Sequence, residues 1–575
     1  MNKRSTKFKT PTSSISHKRI YFLELFGILF VLTLIGRLFY WQVMQHNTLT
    51  AQAQNQYVYK INTQAARGKI LDSNGIPIAT NVLYYEVAVA PKEVKDARGF
   101  SVKVAPFVHK SPEQIQKQME QNPDYLILDR RMEKKNFEEL NKLKIEELIS
   151  SETEGRYYPE GEKTAHLLGF VNHEGQGQYS MEQYFDGLLS GKEGVESLEV
   201  DPLRVPIPLG NREVVEAEEG ATITTTIDLT LQEKLYDLLK ESAIKFKATK
   251  GVIIVMNPNT GEIPAMVSYP SYDPNSYSQY FENNTTELLV NPNIQQFEPG
   301  SIFKIVTMSS GIDSGSVSAN TTITDKGKIE IDGYTIHNAN GKAYGQTNMT
   351  DVLKWSTNVG ASYVAQQMGR DVFYKYIQNY GFGKTTGISL IGESNGLVYK
   401  PEDWANLDLA SIGFGQAIAT TPVQLVAAVS AVANGGNYFK PMLVKSITQN
   451  GKENKQLPRL MRRVIKPETA STLTNMLKQV VTKGFGNMAA IPGYSVAGKN
   501  GTAQVAKPGG GYEEYKVVGS FIGYAPADNP QFVLLVSFHL DESIIDRERW
   551  GAYTAAPTFA KAGKIIPDHY QIPPN

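Results

Sequence analysis

Residues 294–307 read IQQFEPGSIFKIVT, and the fold and chemistry of the chain turn on this stretch. Pro299-Gly300 is a turn signal, and the apolar run after it predicts a buried helix opening at Ser301. A serine in that position has free backbone N–H groups and the positive end of a helix dipole beside its hydroxyl, which favours a developing oxyanion. Lys304 follows one helical turn later on the same face. Burial of this helix would desolvate the amine and lower its pKa, leaving a neutral lysine to take the hydroxyl proton.

The S-x-x-K pattern alone is weak, and it occurs a second time at Ser242 and Lys245. That copy lies in a charged helical run (LTLQEKLYDLLKESAIKFKA) with nothing to expose its hydroxyl, and reads as a surface residue. Further on, Ser356-Thr357-Asn358 follows a helical stretch and offers a hydroxyl and an amide. The other S-x-N, Ser318-Ala319-Asn320, sits in a polar loop. Lys499-Asn500-Gly501-Thr502, within YSVAGKNGTAQVA, reads as a strand whose glycine lets a substrate backbone approach closely.

Ser301/Lys304, Ser356/Asn358 and Lys499-Asn500-Gly501, in that order, resemble the S-x-x-K, S-x-N and K-[ST]-G set of penicillin-binding proteins and serine β-lactamases. The resemblance extends to SIGFGQAIATTPVQL, AVANGG, VMNPNTGEIPAMVSYPSYDPN and SFIGYAPADNPQFVLLV, which look like the transpeptidase domain of class B penicillin-binding proteins. RGKILDSNGIPIAT, GRYYPEGEKTAHLLGFV and TTIDLTLQ resemble that class's pedestal, so the likeness runs from about Arg67 to Phe559. It implies an α+β protein: a five-stranded, mainly antiparallel sheet flanked by helices, on an elongated α+β pedestal. The implied activity is serine D,D-transpeptidation, cross-linking peptidoglycan stem peptides through acyl-Ser301, with penicillin bound at the same serine.

By the same resemblance Lys304 accepts the Ser301 proton, and Ser356, hydrogen-bonded to Lys304 and Lys499, relays it to the leaving D-Ala. Asn358 holds the donor peptide amide and Lys304. Lys499 and Thr502 bind the terminal carboxylate, and the backbone N–H groups of Ser301 and Thr502 form the oxyanion hole. Asn500 departs from the family pattern, which has Ser or Thr there. Losing one charge-assisted hydrogen bond costs roughly 1.5–3 kcal/mol, or about one to two decades in rate, so weakened β-lactam acylation with retained catalysis is expected. Two rival readings remain: a D,D-carboxypeptidase or β-lactamase, and a catalytically weak or inactive scaffold of the cell-wall machinery.

Outward from the site, the chain has 575 residues, with 58 basic and 58 acidic side chains, no cysteine and eight histidines. The balance gives no field for nucleic acid. The absent cysteine excludes disulfides and a thiol nucleophile. The histidines show no metal-ligand spacing, so neither metal nor cofactor is expected. Lys3, Arg4, Lys7, Lys9, Lys18 and Arg19 precede an apolar run, Ile20 to Met44, that spans about 37 Å as a helix. This predicts an uncleaved single-pass anchor with a cytoplasmic N-terminus, although Ala51-Gln52-Ala53 resembles a signal-peptidase site. Glu24 and Arg37 lie near its ends. The expected division is a basic tail (1–19), anchor (20–44), pedestal (45–245) and transpeptidase domain (246–575). No glycosyltransferase domain fits ahead of the last, so the resemblance implies a membrane glycan polymerase of the shape, elongation, division and sporulation family as partner.

Locally, Asp72-Ser73-Asn74-Gly75 predicts a hairpin-type turn, and Gly251 to Met266 a hairpin turning at Pro258-Asn259-Thr260-Gly261. Two stretches in 110–150, KSPEQIQKQMEQN and RRMEKKNFEELNKLKIEELIS, read as solvated helices.

Overall fold

The computed structural model describes residues 17–574 except 109, 202, 204, 209, 508–510 and 542–548. Lys3, Arg4, Lys7 and Lys9 of the basic leader lie outside these residues. The described residues divide into two compact units, one drawn from those up to 65 and from 192–218, the other from 66–191 and those from 219 onward.

In the first unit, a helix over His17–Phe39 loosens into a π-helical turn, Tyr40–Met44. Together they make 28 residues, long and apolar enough to cross a membrane, with no side chain buried within the protein. A polar helix, His46–Tyr57, leads into strand Val58–Thr63, which pairs antiparallel with Gly194–Glu199. Arg212–Val215 completes that three-stranded sheet.

In the second unit a seven-stranded sheet joins distant parts of the chain. It runs Lys452–Lys455, Val444–Gln449, Thr222–Thr225, Ile70–Leu71, Pro77–Val89 and Leu126–Glu133, with Leu148–Tyr157 also paired to Pro77–Val89. The 72–75 turn forms as expected: Asp72 Oδ1 accepts from the N–H groups of Asn74 and Ile76, both at 2.8 Å. The helical reading of 110–150 needs correction. Pro112–Gln121 is a helix with a Ser111 capping box, but Arg130 to Glu133 belong to the strand Leu126–Glu133. The second helix is only Lys134–Asn141, and the next strand begins at Leu148. Charged residues masked the alternation of Leu126, Leu128 and Met132, whose side chains are buried.

The site rests on a second sheet, flanked by α1 (Leu229–Lys245), whose N-cap Asp228 accepts from Leu231 N. Its five strands are β1 (Ala248–Met256), β2 (Ala265–Tyr269), β3 (Ala497–Ala506), β4 (Tyr512–Ala525) and β5 (Phe532–Leu540). Among the described residues the order is β2-β1-β5-β4-β3, antiparallel throughout. β1 and β2 are the expected hairpin, closed by Gly261 at φ +85° donating to Asn257 O. Both faces are buried, which is why β1 and β5 read as continuous apolar runs. Ile254, Ile522 and Leu535 enter the core on one face, with the wholly buried helix Pro422–Ala433. Ile253, Phe521 and Val536 enter the other, against α1 and the C-terminal helix Ala555–Tyr570.

Candidate active site

Ser301 lies in a 3-10 turn, Gly300–Phe303, that runs directly into α2 (Lys304–Asp313). The Pro-Gly signal thus starts a helix as expected, with a tighter first turn. Gly300 is at φ +56°, a conformation that suits glycine. Backbone pairs lace this turn to residues 415–420: Gly300 N donates to Gly415 O, and Phe297 and Thr420 exchange hydrogen bonds, each at 2.9 Å. Ser301 is half-buried, whereas Lys304 is 1% exposed.

Lys304 Nζ donates to Ser356 O at 2.7 Å, to Asn358 Oδ1 at 2.8 Å and to Ser356 Oγ at 3.4 Å. Two helices bracket these partners: α3 (Met349–Lys354) ends just before Ser356, and α4 (Asn358–Met368) begins at Asn358 behind its N-cap Thr357. Ser356 itself sits at φ +56°. This left-handed conformation is costly for a serine and persists only where its surroundings hold it. Burial holds the Lys304 amine well below the usual lysine range; the Lys499 charge lowers it further, and the Asp325 carboxylate opposes both.

β3 is the edge strand beside the serine turn. Asn500, Thr502 and Gln504 line the same cleft, of about 570 Å³, as Ser301, Ser356 and Asn358. The alternate residue Lys499 is fully buried beneath it, and burial pushes its amine down to about 7. Lys499 Nζ donates to Asn500 O (2.9 Å) and to Asn500 Oδ1 (3.1 Å). Its expected bond to Ser356 is not formed among the described residues. Thr502 Oγ1 accepts from Gly551 N at 3.1 Å.

Gly501 also has a packing reason within the protein. A Cβ there would meet Ile302 Cγ2 at 2.9 Å, Ile302 N at 3.1 Å and Pro299 O at 3.3 Å. The glycine lets β3 lie against the serine turn, whose Ile302 side chain and backbone are the close partners.

The second S-x-x-K stays apart from the cleft. Ser242 is buried (3% exposed) on the core face of α1, not on the surface, while Lys245 points to solvent. Several cleft residues carried no sequence signal. Trp355, Phe485 and Trp550 form aromatic wall, with Trp355 edge-on to Phe485 at 5.6 Å and stacked on Tyr344 at 5.9 Å. Asn338 and His337 also line the cleft. A larger cavity of about 1080 Å³, among Tyr84, Arg131 and Tyr277, contains none of the motif residues. Among the described residues no group of His, Asp or Glu is arranged to hold a metal.

Comparison with known proteins agrees with this geometry. Residues 251–563 match the penicillin-binding protein transpeptidase domain, and 62–225 the penicillin-binding protein dimerisation domain. The chain is 31% identical to stage V sporulation protein D of Bacillus subtilis, over 96% of this chain and 85% of that one. It is 32% identical to the probable peptidoglycan D,D-transpeptidase PbpC of Pseudomonas aeruginosa, over 97% and 98%. It is 30% identical to the peptidoglycan D,D-transpeptidase FtsI of Escherichia coli, over 92% and 87%. Among solved structures, penicillin-binding protein 3 of Mycobacterium tuberculosis in complex with ampicillin superimposes with a TM-score of 0.68 at 26% identity, covering 90% of this chain and 97% of that one.

Proposed function

We propose, for a chain that belongs to the class B penicillin-binding proteins and is a peptidoglycan D,D-transpeptidase, that Ser301 is the nucleophile and Lys304 its base. The observation that carries this reading is the buried Lys304 amine, one turn past Ser301 and hydrogen-bonded to both Ser356 and Asn358. Its burial favours the neutral form that accepts a proton.

In the first half-reaction Ser301 Oγ attacks the penultimate D-Ala carbonyl of a stem peptide and its proton passes to Lys304 Nζ. The N–H groups of Ser301 and Thr502 stabilise the oxyanion. The peptide C–N bond then breaks, the leaving D-Ala amine takes a proton through Ser356, and an ester to Ser301 remains. In the second, an amine from another stem peptide attacks this ester, the C–O bond breaks and the proton returns to Ser301 Oγ. Asn358 holds the donor amide, while Lys499, Asn500 and Thr502 receive its carboxylate. Among the described residues β3 is an edge strand, so an extended peptide can add beside it.

Residues 20–44 then anchor the enzyme with its N-terminus in the cytoplasm, the basic Lys18 and Arg19 favouring that side. The pedestal over 45–245 carries the catalytic domain, 246–575, outside the membrane. A membrane glycan polymerase supplies the strands, and the anchor and pedestal are the surfaces offered to it.

The test is covalent labelling of the full-length protein in detergent by a fluorescent penicillin. The wild type is expected to label and Ser301→Ala to lose all labelling. Labelling that survives in a folded Ser301→Ala protein would reject the nucleophile assignment.

A further inference from the structure

We infer that Asn338, oriented by the buried carboxylate of Asp325, is a positioning residue that clamps the start of α4 and so fixes Ser356 and Asn358 against Lys304. The inference rests on the site assignment above. Neither residue belongs to a motif, yet every polar group of Asn338 is used. Its Nδ2 donates to Asp325 Oδ1 (3.0 Å), Asp325 Oδ2 (2.9 Å) and Lys342 O (2.9 Å). Its Oδ1 accepts from Asn358 N (2.9 Å) and Val359 N (3.2 Å). Its own N–H donates to Gly327 O, and its carbonyl accepts from Gly341 N.

The amide orientation follows from its partners. Backbone N–H groups only donate and carboxylates only accept, so the oxygen must face α4 and the nitrogen must face Asp325. Asp325, 1% exposed, also accepts from Gly327 N at 2.7 Å through Oδ1. Asn338 is 3% exposed.

The effect on the site is direct. The first N–H groups of a helix lack intrahelical partners. Here Asn338 satisfies those of Asn358 and Val359, and Thr357 Oγ1 that of Gly360. The Asn358 side chain is pinned from the same side, its Nδ2 donating to His337 O at 2.9 Å, which leaves Oδ1 for Lys304. The left-handed Ser356 lies immediately before this clamp, with its carbonyl on Lys304. A second route is electrostatic. The charged groups that act on Lys304 are Lys499 from β3 and Asp325 from the strand Thr322–Asp325, and they act in opposite directions. His337 is the other titratable side chain lining the cleft.

The experiment measures the acylation rate of full-length protein by fluorescent penicillin across pH, with thermal midpoints alongside. The variants are Asn338→Ala, Asn338→Asp, Asp325→Asn and the exchange Asp325→Asn with Asn338→Asp. Asn338→Asp sets two carboxylates together and is expected to slow acylation roughly 30- to 100-fold. The exchange restores a donor facing a carboxylate and an acceptor facing α4, and is expected to recover at least about tenfold. Asp325→Asn removes the charge that favours protonated Lys304, so the acid limb of the pH profile moves to lower pH. Folded Asn338 variants that acylate at the wild-type rate would overturn the clamp, as would an exchange variant no faster than Asn338→Asp. An unmoved acid limb in Asp325→Asn would overturn the electrostatic half. A wild type that fails to label would overturn the site assignment itself, and the clamp with it.

Discussion

Lys304 and Lys499 are both buried and both held below the usual lysine range, yet acyl transfer asks opposite things of them. In the mechanism proposed above, Lys304 is neutral to accept a proton and Lys499 is charged to hold a carboxylate. Acylation by the free enzyme should therefore fall as pH rises through about 7, where Lys499 loses its proton. A rate that stays flat from pH 6.5 to 9 would show that the Lys499 charge is not used. Asn500 bears on the same charge, because its carbonyl and amide oxygens occupy the ammonium. Asn500→Thr frees one of these bonds and adds a hydroxyl at the cleft, so penicillin acylation should rise about tenfold or more. Stopped-flow acylation kinetics give both answers. The cluster of Ser301, Lys304, Ser356 and Asn358 was legible in the sequence because Ser301 and Lys304 lie within one turn of helix. Asn338 and Asp325 were not, since the 322–348 segment is a short hairpin, Lys328–Ile331 with Tyr334–His337, nested inside the pairing of Thr322–Asp325 with Gly345–Asn348, and its short strands give no motif. Only the long-range contact with α4 singles them out.

At the scale of elements, the serine turn is placed by backbone packing more than by side chains. The segment SIGFGQAIATT reads as family likeness in the sequence; in the fold it is the shelf under Gly300. A Cβ on Gly415 would lie 2.1 Å from Gly300 O, and Gly415 is at φ +85°. Gly415→Ala cannot be accommodated without moving the Ser301 turn, and a displacement near 1 Å costs about 100-fold in rate. Acylation should fall by at least that factor, measured against Gly435→Ala. Gly435 has a similar φ of +82° and open space around its Cβ position, so that variant bears only the backbone strain, about 1–2 kcal/mol. Equal acylation by both would mean that the shelf does not place the serine. The two-sided burial of the five-stranded sheet was readable from its apolar runs, and the β1–β2 hairpin from its turn. The Leu126–Glu133 strand was hidden because charged residues interrupt its alternation.

For the whole molecule, the pairings that close the fold are long-range. Thr222–Thr225 lies parallel to Ile70–Leu71 and antiparallel to Val444–Gln449, a combination no local periodicity announces. The same holds for His166, which joins the 155–184 segment to the catalytic sheet. It is 5% exposed, with Nδ1 2.7 Å from Ser268 Oγ on β2 and Nε2 2.7 Å from Leu288 O. The carbonyl can only accept, so Nε2 carries the hydrogen and Nδ1 accepts from the serine. Burial pushes this imidazole down to about 4, and His539 on β5 is pushed to the same value. A base kept neutral in the fold imposes no penalty above its unfolded pKa of about 6.5. Below that the unfolded chain binds the proton first, so stability is lost as pH falls from about 6.5 toward 4. For His166 the loss across that window is about 3 kcal/mol. His166→Gln gives up the packing and starts with a lower thermal midpoint at pH 7, but it removes the titration. The gap between wild type and His166→Gln should therefore narrow steadily from pH 7 to 4.5. Parallel curves over that range would mean that the acid sensitivity lies elsewhere in the molecule.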